Sequence, residues 1–337
     1  MTHDAQAPAP QPGVSPERVR DAAERIRRSV ATVIEGKDDH INLAIIVLLA
    51  EGHLLVEDVP GVGKTVLAKS LAATIDASVN RIQFTPDLLP SDITGVSVFD
   101  QSAGRFEFQP GPVFANIVIG DEINRASPKT QSAFLECMAE HQVSVDGTTR
   151  RLPAPFAVFA TQNPIEMEGT FALPEAQRDR FMARMSMGYP GLEAELAMVE
   201  HRGTGDPASK LRPVVSAAGV RAMIEAAERV YVSPAVTRYI VSITRATREH
   251  PDVRVGASPR ATLHLTRAAK ARAIVAGRDF VVPDDVVELA APVLAHRLVL
   301  TSRAARANGG SSGGGAIREA ERVIEQIAER TPAPRTT

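Results

Sequence analysis

Short apolar runs alternate with amphipathic helical patterns between about Leu54 and Gly188. The apolar runs predict strands near residues 54–57, 80–84, 116–120, 156–161 and 182–187. Helices are predicted between some of these strands, notably over residues 64–75 and 128–140. This alternation is typical of an α/β fold, in which helices cover both faces of a parallel sheet.

Two segments interrupt the regular pattern and predict inserted β-hairpins. The first alternates apolar and polar residues over 96–109 and turns at 101–104. The second spans 142–151 and turns at Asp146-Gly147, a dipeptide that strongly favours a tight hairpin turn. The sequence therefore predicts two hairpins added to an α/β unit.

After about Pro190 the strand pattern stops and only helical patterns follow. Ser-Pro or Pro-Asp pairs at 233–234, 258–259 and 283–284 predict helix starts, and Gly277 predicts a stop. We therefore expect a smaller all-α domain after an α/β domain. The predicted division is a disordered tail over 1–14, the α/β domain over 15–189, the helical domain over 190–307, a flexible Gly/Ser-rich linker over 308–315, a helix over 316–329 and a second disordered tail over 330–337.

Composition and charge narrow the choice of partners. The 38 Lys and Arg residues against 40 Asp and Glu residues give a formal charge of -2, which offers no overall attraction to nucleic acid or anionic membrane. Cys137 is the one cysteine, so no disulfide within the chain and no thiolate metal site is expected. The apolar run over 41–50 is too short to span a bilayer, and residues 1–13 lack a secretory signal pattern. A cytoplasmic protein without membrane insertion is expected.

A glycine-containing loop carries the sharpest chemical signal. The sequence Val59-Pro-Gly-Val-Gly-Lys-Thr65 follows a predicted strand and opens a helix, where backbone N–H groups can surround phosphates. Lys64 is predicted to reach the β- and γ-phosphates, and the Thr65 hydroxyl to bind Mg²⁺. Asp58 stands where such a loop usually begins with glycine, a mild departure. The predicted nucleotide-binding residues are Pro60, Gly61, Val62, Gly63, Lys64, Thr65 and Val66.

Three polar residues follow two further apolar strands. Asp121 and Glu122 end the run Ile117–Glu122, and the carboxyl end of a parallel strand borders the ligand crevice. Asp121 is predicted to hold Mg²⁺, and Glu122 to polarise the water that attacks the γ-phosphate. Asn163, at the tip of the next strand, is predicted to contact that water and the γ-phosphate.

Two arginines complete the candidate catalytic set. Arg180 precedes the last predicted strand, and an arginine presented to a neighbour's nucleotide can stabilise charge on the transferring phosphoryl group. Arg260 falls in the first turn of a predicted helix, where a cation opposes the helix dipole. An anionic ligand would account for Arg260 in that position.

Taken together, these motifs resemble the MoxR family of AAA+ ATPases, in the branch that includes magnesium-chelatase ATPase subunits. The resemblance covers about residues 20–305 and extends to the two hairpin insertions and a helical lid. The family's phosphate loop can open with an acid, which accommodates Asp58. The matching segments are 57–65, 121–126, 129–132, 160–164, 173–176, 179–181 and 258–260.

The resemblance implies ATP and Mg²⁺ as cofactors and assigns a role to each candidate. It implies that Asn163 is the first sensor, that Arg180 is the arginine finger acting in trans and that Arg260 is the second sensor. Whether Arg178 shares the arginine-finger role stays open. The resemblance further implies a hexameric ring, a protein client, a von Willebrand factor A domain partner in many members, and metalloenzyme activation in several.

Three functions from different classes remain to be weighed. An ATP-driven remodelling chaperone is preferred. A nucleic-acid motor is the nearest alternative, because helicase relatives of the family use similar hairpins on DNA. Arg105, Arg150 and Arg151 on the hairpins can contact phosphates, although the neutral overall charge and the few aromatic residues argue against strand binding. A scaffold that binds ATP without turnover is disfavoured by the intact pair Asp121 and Glu122.

Overall fold

A computed structural model of the chain describes residues 14–58, 61–163, 170–189, 191–192, 195–196, 207–306 and 313–334. Its helices are α1 Pro16–Ala31, α2 Asp38–Leu49, α3 Lys64–Ala73, α4 Pro90–Thr94, α5 Pro128–Glu140, α6 Glu175–Arg178, α7 Ala217–Glu228, α8 Pro234–Glu249, α9 Pro259–Val275, α10 Pro283–Leu294, α11 Ser302–Arg306 and α12 Gly313–Arg330. Its strands are β1 Leu54–Glu57, β2 Ile75–Asp76, β3 Val79–Gln83, β4 Gly95–Asp100, β5 Arg105–Pro110, β6 Ile117–Asp121, β7 Gln142–Val145, β8 Thr148–Arg151, β9 Ala157–Gln162, β10 Ala183–Met185, β11 Val215–Ser216, β12 Val253–Val255 and β13 Val299–Leu300.

The central sheet contains five parallel strands in the order β10-β1-β9-β6-β3. Every residue of β1, β6 and β10 is buried, which matches the continuous apolar runs expected of strands covered on both faces. We call the side where these strands end the carboxyl edge, and the side where they begin the amino edge. The structure confirms the predicted parallel α/β fold with helices on its faces.

Both predicted hairpins are present and contact each other. Strands β4 and β5 form the first, and β7 and β8 form the second. Gly95 begins the first hairpin with a φ of 90°, and a Cβ there would lie 2.3 Å from the carbonyl oxygen of Gln109. The guanidinium of Arg150, on the second hairpin, lies 3.9 Å from the ring centroid of Phe108 on the first. The two insertions therefore pack as a pair.

The helical part follows the predicted starts. Ser233 and Ser258 each accept a hydrogen bond from the backbone N–H three residues later, which explains why α8 and α9 begin where they do. Helix α9 contacts α7, α8 and α10, and also α1 and α2. One continuous apolar core therefore runs from the first helices through one face of the sheet to the helical part.

The structure corrects several predicted boundaries. Strand β10 covers 183–185 rather than 182–187, and after it Ser186 Oγ and the N–H of Gly188 donate to the Asp58 carboxylate. Helix α3 ends at Ala73, and the next residues pair with β11.

Helix α12 begins at Gly313, inside the predicted linker over 308–315. Glycines at the start of a helix lower its stability, and the burial of Ile317, Val323 and Ile324 offsets that loss. The rest of the linker, the boundary residue Pro190 and nearly all of the predicted N-terminal tail lie outside the described residues, as do 335–337 of the predicted C-terminal tail. No helix in the described part of the chain is both long enough and apolar enough to cross a membrane.

Candidate active site

The phosphate loop joins β1 to α3 at the carboxyl edge. Gly61 and Gly63 have φ values of 86° and 89°, a left-handed conformation that glycine adopts without strain. Gly63 caps α3, whose first N–H groups have no partners within the helix and can bind an anion. Val62 and Val66 pack against the apolar core and fix the loop to the sheet. Pro60 lies outside the described residues.

Lys64 lies among carbonyl and carboxylate oxygens at the ends of two neighbouring strands. Its Nζ donates to the carbonyl oxygen of Gln162 at 3.1 Å and also to that of Asp58. Burial lowers the pKa of the Lys64 ammonium, and the charges of Asp58, Glu122 and Asp121 oppose that shift. The ammonium is therefore held between β1 and β9, at the mouth of the phosphate loop.

Both carboxylate oxygens of Asp121 accept hydrogen bonds. Thr65 Oγ1 donates to Oδ1 at 2.8 Å, and Thr161 Oγ1 donates to the same oxygen at 3.3 Å. Arg81 Nε donates to Oδ2 at 2.6 Å. A hydroxyl beside a carboxylate is a donor set that suits Mg²⁺, which usually takes few protein ligands and keeps phosphate oxygens and waters for the rest. The two predicted metal ligands, Thr65 and Asp121, thus lie together and fit that ion.

Glu122 leaves the strand in a left-handed conformation. Its φ is 59°, uncommon for a residue other than glycine, and its N–H donates to Thr161 Oγ1 at 3.0 Å. Its Oε2 accepts from Gln83 Nε2 at 3.2 Å and from Arg125 Nη1 at 3.0 Å. The sharp turn places the Glu122 carboxylate beyond the end of β6, where two donors hold it.

Asn163 follows β9, which lies between β1 and β6 in the sheet. Its carbonyl oxygen accepts from the amide of Asn124 at 2.9 Å. The structure therefore brings Lys64, Thr65 and Asn163 to the same carboxyl edge as the two acids.

Arg180 and Arg260 lie at the other edge of the sheet. Arg180 precedes β10, and the N–H of Met182 donates to the carbonyl oxygen of His53, which precedes β1. Ser258, the cap of the helix that carries Arg260, donates to the Asp179 carboxylate at 3.0 Å. The structure thus brings the two arginines to one region, the amino edge, and does not bring them to the phosphate loop of their own chain.

Asp58 has a structural role at the position where such a loop usually begins with glycine. Its Oδ2 accepts from Ser186 Oγ at 2.8 Å and from the N–H of Gly188 at 2.6 Å. The carboxylate therefore ties the start of the phosphate loop to the segment that follows β10.

Two family models match this chain. One, described as an ATPase family associated with various cellular activities (AAA), matches residues 53–183, and a model of the AAA lid domain matches residues 245–326. A parallel sheet with a phosphate loop and two acids at its carboxyl edge, followed by a helical lid, defines an AAA+ ATPase. Its relatives identify the family more closely. The chain belongs to the MoxR family of AAA+ ATPases.

The relatives that carry this assignment span most of the chain. The Bacillus subtilis protein YeaC is 48% identical over 279 residues, covering 83% of this chain and 86% of that protein. Chaperone MoxR1 of Mycobacterium tuberculosis is 43% identical over 287 residues, covering 82% of this chain and 76% of that protein. The crystal structure of a Cytophaga hutchinsonii protein has a TM-score of 0.83 at 38% identity and covers 95% of this chain and 97% of that chain. These matches confirm the family resemblance.

Proposed function

We propose that the chain binds ATP with Mg²⁺ at the phosphate loop and hydrolyses it at a junction between two protomers. The observation that carries this proposal is the separation of the site into two halves. The binding groups and acids lie at the carboxyl edge, whereas Arg180 and Arg260 lie at the amino edge. Two arginines at the amino edge can serve a nucleotide that is held by the next copy of the chain.

Each residue has a defined part in the proposed reaction. Backbone N–H groups of residues 61–66 and the Lys64 ammonium hold the β- and γ-phosphates. Thr65 and Asp121 would hold Mg²⁺, which when bound supplies positive charge to the transferring phosphoryl group. Glu122 orients the attacking water and accepts its proton, and Asn163 positions the same water. Arg180 and Arg260 of a neighbouring protomer stabilise negative charge on the γ-phosphoryl group.

We further propose that the protomers form a ring, a hexamer as in the family resemblance, and that the ring remodels a protein client. One similar protein is named a chaperone, which supports this activity. The first hairpin exposes 70% of Phe106 and 51% of Phe99, apolar surface suited to a client polypeptide. A von Willebrand factor A domain protein as partner and a metalloenzyme as client are part of this proposal.

The contacts of the hairpin arginines disfavour the nucleic-acid motor. Arg105 donates to Glu107 at 2.7 Å, and the guanidinium of Arg150 lies over the Phe108 ring. Arg105 is therefore engaged by its own hairpin, and Arg150 is engaged by the neighbouring hairpin. Deleting residues 96–109 should abolish client activation but keep ATP binding, and unchanged client activation would refute a role of this hairpin.

Two substitutions test binding and hydrolysis separately. Lys64→Ala should lose nucleotide binding in a fluorescent-nucleotide titration, whereas Lys270→Ala on α9 serves as the control for removing a lysine. Glu122→Gln should bind ATP but release phosphate at least about 100-fold more slowly, as loss of a catalytic base predicts. Normal nucleotide affinity in Lys64→Ala, or normal turnover in Glu122→Gln, would overturn the assignment.

A further inference from the structure

Asp121 is the deeply buried charge of the candidate site. Its side chain is 4% exposed, and an ionised carboxylate at that depth is costly unless a cation lies beside it. Thr65 and Thr161 supply neutral hydroxyl donors to one oxygen. Arg81 Nε pairs with the other oxygen, Oδ2. Among the described residues, Arg81 is the one cation that forms an ion pair with this carboxylate.

Arg81 reaches Asp121 from a position that allows it to leave. It lies on β3, the last strand at one side of the sheet, and its side chain is 51% exposed. A long side chain on an outer strand can turn toward solvent by changing rotamers, without any shift of the backbone. The ion pair is therefore buried at the carboxylate and open to water at the guanidinium.

The same guanidinium is connected to the proposed base. Arg81 Nη2 donates to Gln83 Oε1 at 3.0 Å, and Gln83 Nε2 donates to Glu122 Oε2 at 3.2 Å. Arg81 and Gln83 are two residues apart on β3, so both side chains extend from the same face of the strand. A chain of hydrogen bonds thus runs from the metal carboxylate, Asp121, to the Glu122 carboxylate.

The guanidinium and a divalent cation compete for the same carboxylate. Mg²⁺ held at Asp121, directly or through one water, brings two positive charges to the group that Arg81 already neutralises. Like charges at that separation repel strongly where water is partly excluded. Metal binding and the Arg81 contact therefore oppose each other.

We propose that Arg81 is a displaceable counter-ion of Asp121. Binding of magnesium-nucleotide drives the Arg81 guanidinium away from Asp121 and so breaks its hydrogen bond to Gln83, the residue that donates to Glu122. Arg81 is a positioning residue in this account, acting on the metal carboxylate and, through Gln83, on the base. The inference rests on the proposed function, since it assumes that Asp121 serves the metal. It adds that the hydrogen-bonded chain from Asp121 through Arg81 and Gln83 to Glu122 is intact only while Asp121 holds no metal.

A magnesium titration of nucleotide binding tests this proposal without measuring turnover. Fluorescently labelled ADP is added to EDTA-treated protein, and Mg²⁺ is then titrated while the fluorescence is followed. Arg81→Gln should lower the half-saturating Mg²⁺ concentration by about tenfold, because one adjacent charge shifts such an equilibrium by one to three decades. An unchanged or raised half-saturating concentration in Arg81→Gln would overturn the proposal.

Two further variants separate charge from shape and from folding. Arg81→Met, which keeps the apolar stem, should lower the half-saturating Mg²⁺ concentration as Arg81→Gln does. Arg81→Lys keeps the positive charge and should stay close to the parent protein. A shift of the same size in Arg81→Lys would contradict the charge argument.

Failure of this inference is distinguishable from failure of the proposed function. If the parent protein binds labelled ADP and Lys64→Ala does not, the phosphate-loop assignment stands whatever Arg81 does. If the parent shows no Mg²⁺-dependent binding of labelled ADP, both the magnesium assignment and the counter-ion proposal fall.

Discussion

At the scale of single residues, His53 is a buried imidazole that joins two elements of the fold. Its Nδ1 accepts from the N–H of Val158 at 3.1 Å, and its Nε2 lies 2.9 Å from the carbonyl oxygen of Met138. This pattern requires the neutral ring with its proton on Nε2. Burial lowers the pKa of His53 from 6.5 to about 4, with the nearby His141 and Arg267 adding to the shift.

This pKa shift predicts acid destabilisation. The unfolded ring takes up a proton below its pKa of 6.5, whereas the folded ring resists protonation down to about 4, so stability is lost as the pH falls between these values. His53 should therefore contribute a loss of roughly 2 kcal/mol in the free energy of unfolding between pH 7 and pH 5. Urea unfolding of the parent and of His53→Gln at both pH values measures this term. Equal pH dependence in the two proteins would contradict it.

The residues of the candidate site differ in how far the sequence reveals them. Lys64, Thr65 and Asp121 stand in local motifs whose spacing carries the chemistry. Arg81 and Gln83 were not predicted, because polar residues alternating on an outer strand resemble any solvated strand face. The feature that could have revealed Arg81 and Gln83 is their two-residue spacing near the end of β3. Because β3 pairs with β6, that spacing places both side chains beside the two acids.

At the scale of elements, the two hairpins pack against each other through one aromatic contact. The Phe108 ring contacts Arg150 on one side and Phe114 in an edge arrangement at 5.6 Å. Each hairpin was predictable from alternation and turn residues. Their contact was not, because it joins segments that are about 40 residues apart and depends on the order of strands in the sheet.

A double-mutant cycle should detect this contact. Arg150→Met and Phe108→Leu each remove one partner, and we expect a coupling free energy of about 0.5–1 kcal/mol, as for a partly exposed cation–π pair. Urea unfolding of the four proteins gives the value. Arg105→Met with Phe108→Leu is the control, because Arg105 lies on the other face of the same hairpin and should show no coupling.

The short pairing of β2 with β11 shows a limit of prediction at this scale. Ile75 pairs with Val215, and the two residues are distant in the sequence. Two-residue strands carry no periodicity, so only the folded chain reveals them. The longer strands and helices were predictable because their apolar periods span a whole buried face.

At the scale of the whole molecule, Arg297 links the helical part to the sheet. Its guanidinium donates to the Asp179 carboxylate at 2.9 Å, to the carbonyl oxygen of Phe181 at 2.5 Å and to Nδ1 of His264 at 2.6 Å. Burial lowers the pKa of Arg297 to about 10, and Asp179 opposes the shift. The side chain thus fixes the segment before β10, which carries Arg180.

Replacing this arginine should destabilise the protein strongly. Arg297→Met leaves Asp179 without its cation and should cost about 3 kcal/mol in the free energy of unfolding. Arg303→Met is the matched control, because Arg303 pairs with Asp252 at the surface and should cost less than about 1 kcal/mol. Urea unfolding compares the two, and equal losses would show that Arg297 acts as an ordinary surface charge.

The separation of the site between the two edges of the sheet could not be deduced from the motifs alone. The strings around Arg180 and Arg260 suggest arginines that serve a nucleotide, but only the parallel pairing of β1 and β10 shows which edge they occupy. Because both lie at the amino edge, the proposed reaction requires a second copy of the chain for each complete site.

Mixing two inactive variants tests this requirement most directly. Lys64→Ala lacks a nucleotide site and Arg180→Ala lacks the arginine, so each should release almost no phosphate alone. Mixed in equal amounts, they should recover about a quarter of the parental rate, because half the subunits keep a site and half of those face an intact arginine. Arg180→Ala mixed with the doubly substituted chain should stay inactive. Full activity of Arg180→Ala alone, or no recovery in mixed assemblies, would contradict a site shared between protomers.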